Sequence, residues 1–232
     1  MENVLVKRES GKFYSKEEQK SQEVQYVSFA WETETAKRIG KRVLDLFVAT
    51  ATLVLVMSWL FPLLAILIKI DSKGPILFKQ LRHGLENKPF YCYKFRTMVS
   101  NNEADIKQAT VNDSRITKIG RVLRASSIDE LPQIFNVLKG EMAIVGPRPH
   151  TMPMNLEFAK SIDNFMDRHA VKPGITGLAQ AKGFRGEIKN FNDIYSRYKL
   201  DVFYVQKWCL IFDLKIILDT VRSLIFKNEN AY

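Results

Sequence analysis

The stretch SSIDELPQIFNVLKGEMAIVGPRP, residues 126–149, gathers the side chains best suited to chemistry in this chain. Asp129 and Glu130 are adjacent carboxylates beside a predicted helix N-terminus, where unpaired amides favour anions. Farther along, Arg148 stands between Pro147 and Pro149. Flanking prolines fix the backbone, and a pre-positioned guanidinium grips phosphate oxygens bidentately. The combination points to a phosphate or metal site.

A purely structural account stands beside that one. Ser127 and Glu130 match the Ser-x-x-Glu capping box, in which the glutamate reaches back to the cap amide. Pro132 would then lie five residues into the helix, whereas with Asp129 as the cap it falls in the first turn, where a missing donor matters little. Either frame explains only one of the two acids. Gly-Pro-Arg-Pro reads equally as a rigid surface turn.

Three further arginines, Arg82 in QLRHG, Arg96 in KFRTM and Arg124 in VLRAS, are candidate anion binders, although each taken singly reads as a solvated surface charge. Other chemistries lack their residues. Cys92 and Cys209 are far apart, with no second thiol or histidine at metal-ligand spacing, so neither a disulfide framework nor a zinc site is implied. His83, His150 and His169 stand alone and receive no role. No Gly-x-Gly-x-x-Gly, P-loop or Asp-x-Asp motif occurs.

The elements that must hold these residues follow from composition and periodicity. At 232 residues the chain accommodates one domain with appendages. Its formal charge is +10, and residues 1–40 contain equal numbers of basic and acidic side chains, so the excess lies in residues 41–232, which should attract anions. Apolar spacing predicts helices over 117–125, 130–139, 154–168, 191–207 and 210–226, with Gly140 as a left-handed stop. Short strands are expected in ILFKQ, PFYCYKF and EMAIV, too few for a large sheet, and residues 101–115 read as a polar, mobile loop. The fold class is helix-rich α+β. The N-terminal residues lack the apolar core of a secretory signal and read as a polar leader over 1–40.

Residues 46–68, LFVATATLVLVMSWLFPLLAILI, carry no charge and are long enough as a helix to cross a hydrocarbon core of about 30 Å. Pro62 removes a backbone hydrogen bond inside the run, and Ser58 sits one turn earlier, able to satisfy freed carbonyls. Lys37, Arg38, Lys41 and Arg42 precede the run, and Lys69, Lys73, Lys79 and Arg82 follow it. The positive-inside rule therefore pulls both ends to the cytoplasmic face. A re-entrant helix over 41–70, bent near Ser58 and Pro62, satisfies both ends, with residues 71–232 as a cytoplasmic catalytic domain. Asp45, four residues after Lys41, is placed to pair with it. The final stretch DVFYVQKWCLIFDLKIILDTVRSLIF suits a membrane interface or ordinary helix packing.

From about Lys41 to about Phe226 the chain resembles the bacterial sugar transferases, the small monotopic phosphoglycosyl transferases. The likeness rests on KRVLD, GPILFKQLRHG, YKFRTM, SSIDELPQIFNVLKGEMAIVGPRP, RHAVKPGITGLAQ and LDVFYVQKWCLIFDLKII in that order. It implies a re-entrant membrane helix and transfer of a sugar-1-phosphate from a UDP-sugar to undecaprenyl phosphate, with release of UMP, in exopolysaccharide, capsule or O-antigen assembly. It further implies Asp129 as nucleophile and metal ligand, Glu130 as its partner, Pro147, Arg148 and Pro149 as the family's Pro-Arg-Pro, and Mg²⁺ as cofactor. The expected setting is the cytoplasmic face of the bacterial inner membrane, with membrane lipid and not nucleic acid as the surrounding partner. The family often has Ser-Pro at the helix break, whereas here Trp59 follows Ser58 and the proline comes at Pro62. Two alternatives remain: a polyprenyl-phosphate glycosyltransferase releasing UDP, and a basic membrane-attached adaptor without enzymatic activity.

Overall fold

The computed structural model describes residues 6–7, 13–14, 35–99, 113–184, 186, 188 and 190–225. Most of the polar leader, and residues 101–112 of the expected polar loop, lie outside them. Within the leader, β1 (Val6–Lys7) pairs antiparallel with β2 (Phe13–Tyr14).

The apolar run forms one long helix. It comprises α1 (Thr35–Thr52), a π-helical segment (Leu53–Met57) and α2 (Ser58–Asp71). From Lys37 to Asp71 it is the one helix among the described residues long and apolar enough to cross a membrane. Only 17 % of its most apolar window is buried, whereas a core helix of that composition would be covered. The widened turn lies just ahead of Ser58, whose hydroxyl donates to the Val54 carbonyl at 2.6 Å, and Pro62 falls within α2. A stripe of residues is buried nonetheless: Lys41, Asp45 and Ala49 at helical spacing in α1, then Met57, Leu64 and Ile68 farther on. Phe47, Leu55, Trp59, Ile66 and Ile70 are left bare.

Behind the rod lie two hairpin-sized sheets and the remaining helices. β3 (Leu77–His83) and β4 (Pro89–Phe95) run antiparallel, with Leu77 opposite Phe95 and His83 opposite Pro89. β5 (Ala143–Val145) pairs in parallel with β6 (Gly174–Thr176). Close backbone approach explains the glycines here, since a Cβ on Gly146 or Gly174 would strike the other segment's main chain. The helices are α3 (Lys118–Ala125), α4 (Gln133–Lys139), α5 (Met152–Ser161), α6 (Leu178–Ala181), α7 (Phe191–Lys207) and α8 (Leu210–Ile225). The class is helix-rich α+β, as the periodicity predicts. The helix expected over 154–168 divides, because Asn164 turns left-handed at φ 60° and a 3₁₀ segment (Phe165–Ala170) follows. On α8, Ile211, Leu214, Leu218 and Val221 are exposed apolar residues.

Both halves of the rod pack on this body. Ala49 joins Val137, Met142, Val145, Tyr204 and Ile216 in the larger core, while Met57, Leu64 and Ile68 meet Phe95 and Leu123 in a second. A buried ionic knot fastens the first half. Lys41 Nζ lies 2.7 Å from Asp213 and 3.3 Å from Asp45, the pair expected from helical spacing, and donates to the Val145 carbonyl at 2.9 Å. Tyr204 and Trp208 donate to the same Asp213 carboxylate, at 2.8 and 3.1 Å. The second half is tied at its end, where Arg96 donates to the carbonyls of Ile68 and Ser72 at 3.2 and 2.7 Å.

Removing one member of a buried ion pair leaves the other charge uncompensated, at about 3–5 kcal/mol. Lys41→Met should therefore lower the unfolding free energy of the detergent-solubilised protein by that much, read from the shift of its denaturation midpoint. An unchanged midpoint would show that the knot does not fasten the rod.

Candidate active site

The dyad sits where α3 stops and α4 starts. Ser127 adopts the left-handed conformation (φ 57°, ψ 15°), and its amide donates to the Arg124 carbonyl at 3.1 Å, closing α3. A residue so used cannot also take the extended geometry of an N-cap. Asp129 and Glu130 instead occupy a 3₁₀ turn (Ile128–Glu130), and α4 begins at Gln133 after Pro132, with no side-chain cap. Both capping frames anticipated from the sequence are thus corrected. The left-handed Gly140 (φ 84°) ends α4 as predicted.

Asn136, wholly buried in α4, fixes this turn against the hairpin. Its amide oxygen accepts from the Tyr93 backbone amide at 3.0 Å, and its amide nitrogen donates to the Tyr91 carbonyl at 2.7 Å. Strand alternation puts Phe90, Cys92 and Lys94 of β4 on one face. Lys94 thereby reaches Glu130, with Nζ 2.7 Å from Oε1.

Arg148 completes the cluster from the loop after β5. Its guanidinium holds Glu130 with two bonds, NH2 to Oε1 at 2.6 Å and NH1 to Oε2 at 3.0 Å. The fork and Lys94 outweigh desolvation and keep the Glu130 carboxyl well below the usual range, while Glu130 raises Arg148. Asp129 differs. Burial pushes its carboxyl up to about 6 against the opposing pull of Lys94, and the charge on Glu130 adds to the rise. Among the described residues no side chain or amide donates to Asp129. Glu130 is committed as a counter-ion, and Asp129 is the carboxylate left to react or to take a metal.

The other predicted residues divide between the cluster and its support. Arg124 is half-buried and near enough to stabilise the Asp129 carboxylate. Arg82 donates to the Pro149 carbonyl and, at 2.7 Å, to Gln80, and the first of these bonds holds the loop. Arg96 is buried, with its NH2 on the end of α2. Pro147 and Pro149 are both buried. The histidines likewise serve the interior: His83 contacts Asn155 at 3.0 Å, His169 contacts Asn87 at 2.6 Å, and His150 contacts Arg168 at 3.3 Å. Sequence reasoning missed Lys94, which its place on the buried face of a predicted strand could have flagged.

Comparison with known proteins assigns the chain to a family. Residues 36–227 match the model of the bacterial sugar transferases. The chain belongs to the bacterial sugar transferase family. It is 46 % identical over 195 residues to the UDP-glucose:undecaprenyl-phosphate glucose-1-phosphate transferase of Klebsiella pneumoniae, covering 84 % of this chain and 42 % of that protein. A Caulobacter vibrioides protein of the same name is 46 % identical, with 84 % of this chain and 72 % of the relative covered. An exopolysaccharide production protein of Rhizobium leguminosarum is 40 % identical, with 82 % and 96 % covered. The chain spans only about two fifths of the Klebsiella relative. The dyad, the Pro-Arg-Pro loop and Lys94 of this family member all lie within the matched span.

Proposed function

We propose that the chain moves a sugar-1-phosphate from a UDP-sugar to undecaprenyl phosphate and releases UMP, as a first step in exopolysaccharide or related glycoconjugate assembly. The observation that carries this reading is the division of the dyad: Glu130 is saturated by Arg148 and Lys94, and Asp129 is unengaged and surrounded by cations. Relatives named for UDP-glucose, undecaprenyl phosphate and glucose-1-phosphate transfer support the substrate class.

The chemistry runs in two displacements. An Asp129 carboxylate oxygen attacks the phosphorus that carries the sugar, and the bond from that phosphorus to the UMP oxygen breaks, giving an aspartyl phosphosugar. A phosphate oxygen of the lipid then attacks the same phosphorus, and the bond to Asp129 breaks, restoring the carboxylate. Charge on the transferred phosphoryl oxygens must be balanced throughout. Arg148, 31 % exposed at its side chain, has a face open for that task, and Arg124 and Lys94 add positive potential.

Among the described residues no group of three or more His, Cys, Asp or Glu side chains could hold a metal. Mg²⁺ needs no such cage, because it is commonly bound by one or two carboxylates together with substrate phosphates and waters. The unengaged Asp129 suits that manner of binding. When bound, Mg²⁺ would neutralise diphosphate charge.

The long helix is part of the same proposal, as a re-entrant anchor that places the site at the inner face of the cytoplasmic membrane. Basic residues flank it on both sides, and both of its halves pack on one body, which a straight span would separate across about 30 Å of hydrocarbon. The π-helical segment and Pro62 offer places to turn. Cysteines introduced one at a time at Lys37 and Lys73, in a variant without Cys92 and Cys209, should both be labelled by an impermeant reagent only when it reaches the cytoplasmic side; labelling from opposite sides would contradict the anchor.

Two outcomes test the transfer. With a panel of UDP-sugars and undecaprenyl phosphate the nucleotide released should be UMP, and Asp129→Asn should abolish its release; UDP as product would overturn the mechanism. The nucleophile must be ionised and its carboxyl sits at about 6, so the rate should be near maximal above pH 7 and fall about tenfold per pH unit below 6. A rate flat down to pH 5 would remove Asp129 from the rate-determining chemistry.

A further inference from the structure

The Pro-Arg-Pro loop has an unusual problem of attachment. Two of its three residues lack an N–H, so the segment must be held mainly through its carbonyls. All three carbonyls have donors. Gly174 N–H donates to Pro147 at 3.0 Å, Arg168 NH2 donates to Arg148 at 2.7 Å, and Arg82 NH1 donates to Pro149. The middle tie is the one attached to the residue that grips Glu130.

Arg168 is 1 % exposed, and each of its guanidinium nitrogens is in use. Nε and NH2 donate to Asp201 Oδ2 at 3.0 and 2.5 Å, NH1 faces His150 Nδ1 at 3.3 Å, and NH2 also reaches the Arg148 carbonyl. Burial and the neighbouring Arg168 keep His150 neutral, so its Nδ1 can accept that contact. Phe165 packs against the guanidinium at 5.4 Å and is stacked with His150, which leaves the group little room to shift. Asp201 comes from α7 and Arg168 from the 3₁₀ segment after α5, so the clamp joins two distant parts of the chain to one backbone oxygen.

We propose that Arg168, oriented by Asp201, is a positioning residue for the transfer: by anchoring the Arg148 carbonyl it sets where the Arg148 guanidinium stands, and thereby how Glu130 is held beside Asp129. It touches neither substrate nor dyad. Its role rests on the proposed transfer, in which Arg148 balances phosphoryl charge. A buried ion pair alone would serve stability, and such a pair can often be exchanged for apolar side chains of similar size without loss. The carbonyl anchor cannot be exchanged in that way, because methionine has no donor for the Arg148 oxygen.

The test compares wild type, Arg168→Lys and the double variant Arg168→Met/Asp201→Leu. Each is assayed for melting temperature, for kcat and KM of UMP release, and for amide exchange of residues 146–151 by mass spectrometry. The double variant should melt close to wild type, lose kcat on the order of 10²-fold with a smaller change in KM, and exchange faster in the loop. Arg168→Lys keeps a donor and the charge opposite Asp201, and should recover part of kcat; it also decides the matter if the double variant does not fold. A folded double variant with wild-type kcat and exchange would overturn the clamp, as would a folded Arg168→Lys no better than a folded double variant; where the double variant does not fold, a folded Arg168→Lys whose kcat falls while loop exchange stays at the wild-type rate would overturn it. A wild-type protein that releases no UMP would instead overturn the transfer, while loop exchange would still report on the clamp.

Discussion

The forked ion pair between Arg148 and Glu130 is the interaction on which the site depends. Two neighbouring carboxylates in a partly buried turn cannot both remain charged without compensation. Arg148 and Lys94 supply that compensation to one of them. Glu130 becomes a fixed negative charge already neutralised, and Asp129 keeps its lone pairs free at a carboxyl tuned to about 6. Adjacent acids of identical chemistry are thus shifted in opposite directions by their surroundings alone.

Much of the remaining fold keeps those partners in place. Asn136 docks α4 on the hairpin and so sets the turn beside Lys94. Parallel pairing of β5 with β6 delivers Gly146 and Pro147 to the right edge, and donors from Gly174, Arg82 and Arg168 fasten the loop beyond. The Lys41 knot ties the long helix to the same β5 strand and to α8. Site and long helix therefore share one scaffold, which suits the proposed chemistry, whose donor would arrive from water and whose acceptor would be a lipid.

The sequence disclosed the long, regularly patterned parts well. α3, α7 and α8 fall within a residue of their predicted spans, β4 matches its predicted span, and Gly140 stops α4. Lys41 and Asp45 pair as helical spacing predicts. The dyad and Arg148 were legible as residue types, and the structure adds that they meet. What escaped was set by distant partners. A three-residue strand such as β6 has too little pattern to read, and its partner is 31 residues away, as Ala143 opposite Gly174 shows. Arg168 and Asp201 fall inside the motifs RHAVKPGITGLAQ and LDVFYVQKWCLIFDLKII, but their pairing across 33 residues leaves no signal in the sequence. The Ser127 frame failed because Ser127 ends the preceding helix, and the Asp129 frame because Asp129 lies inside a 3₁₀ turn ahead of α4.

The account depends on Asp129, and not Glu130, being the carboxylate that bonds to phosphorus. Incubating the purified protein with a UDP-hexose but no lipid acceptor, followed by rapid acid quench and peptide mass spectrometry, tests this directly. A hexose phosphate adduct is expected on Asp129, absent from Asp129→Asn and discharged by undecaprenyl phosphate. An adduct on another residue, or UMP release by Asp129→Asn at the wild-type rate, would contradict it.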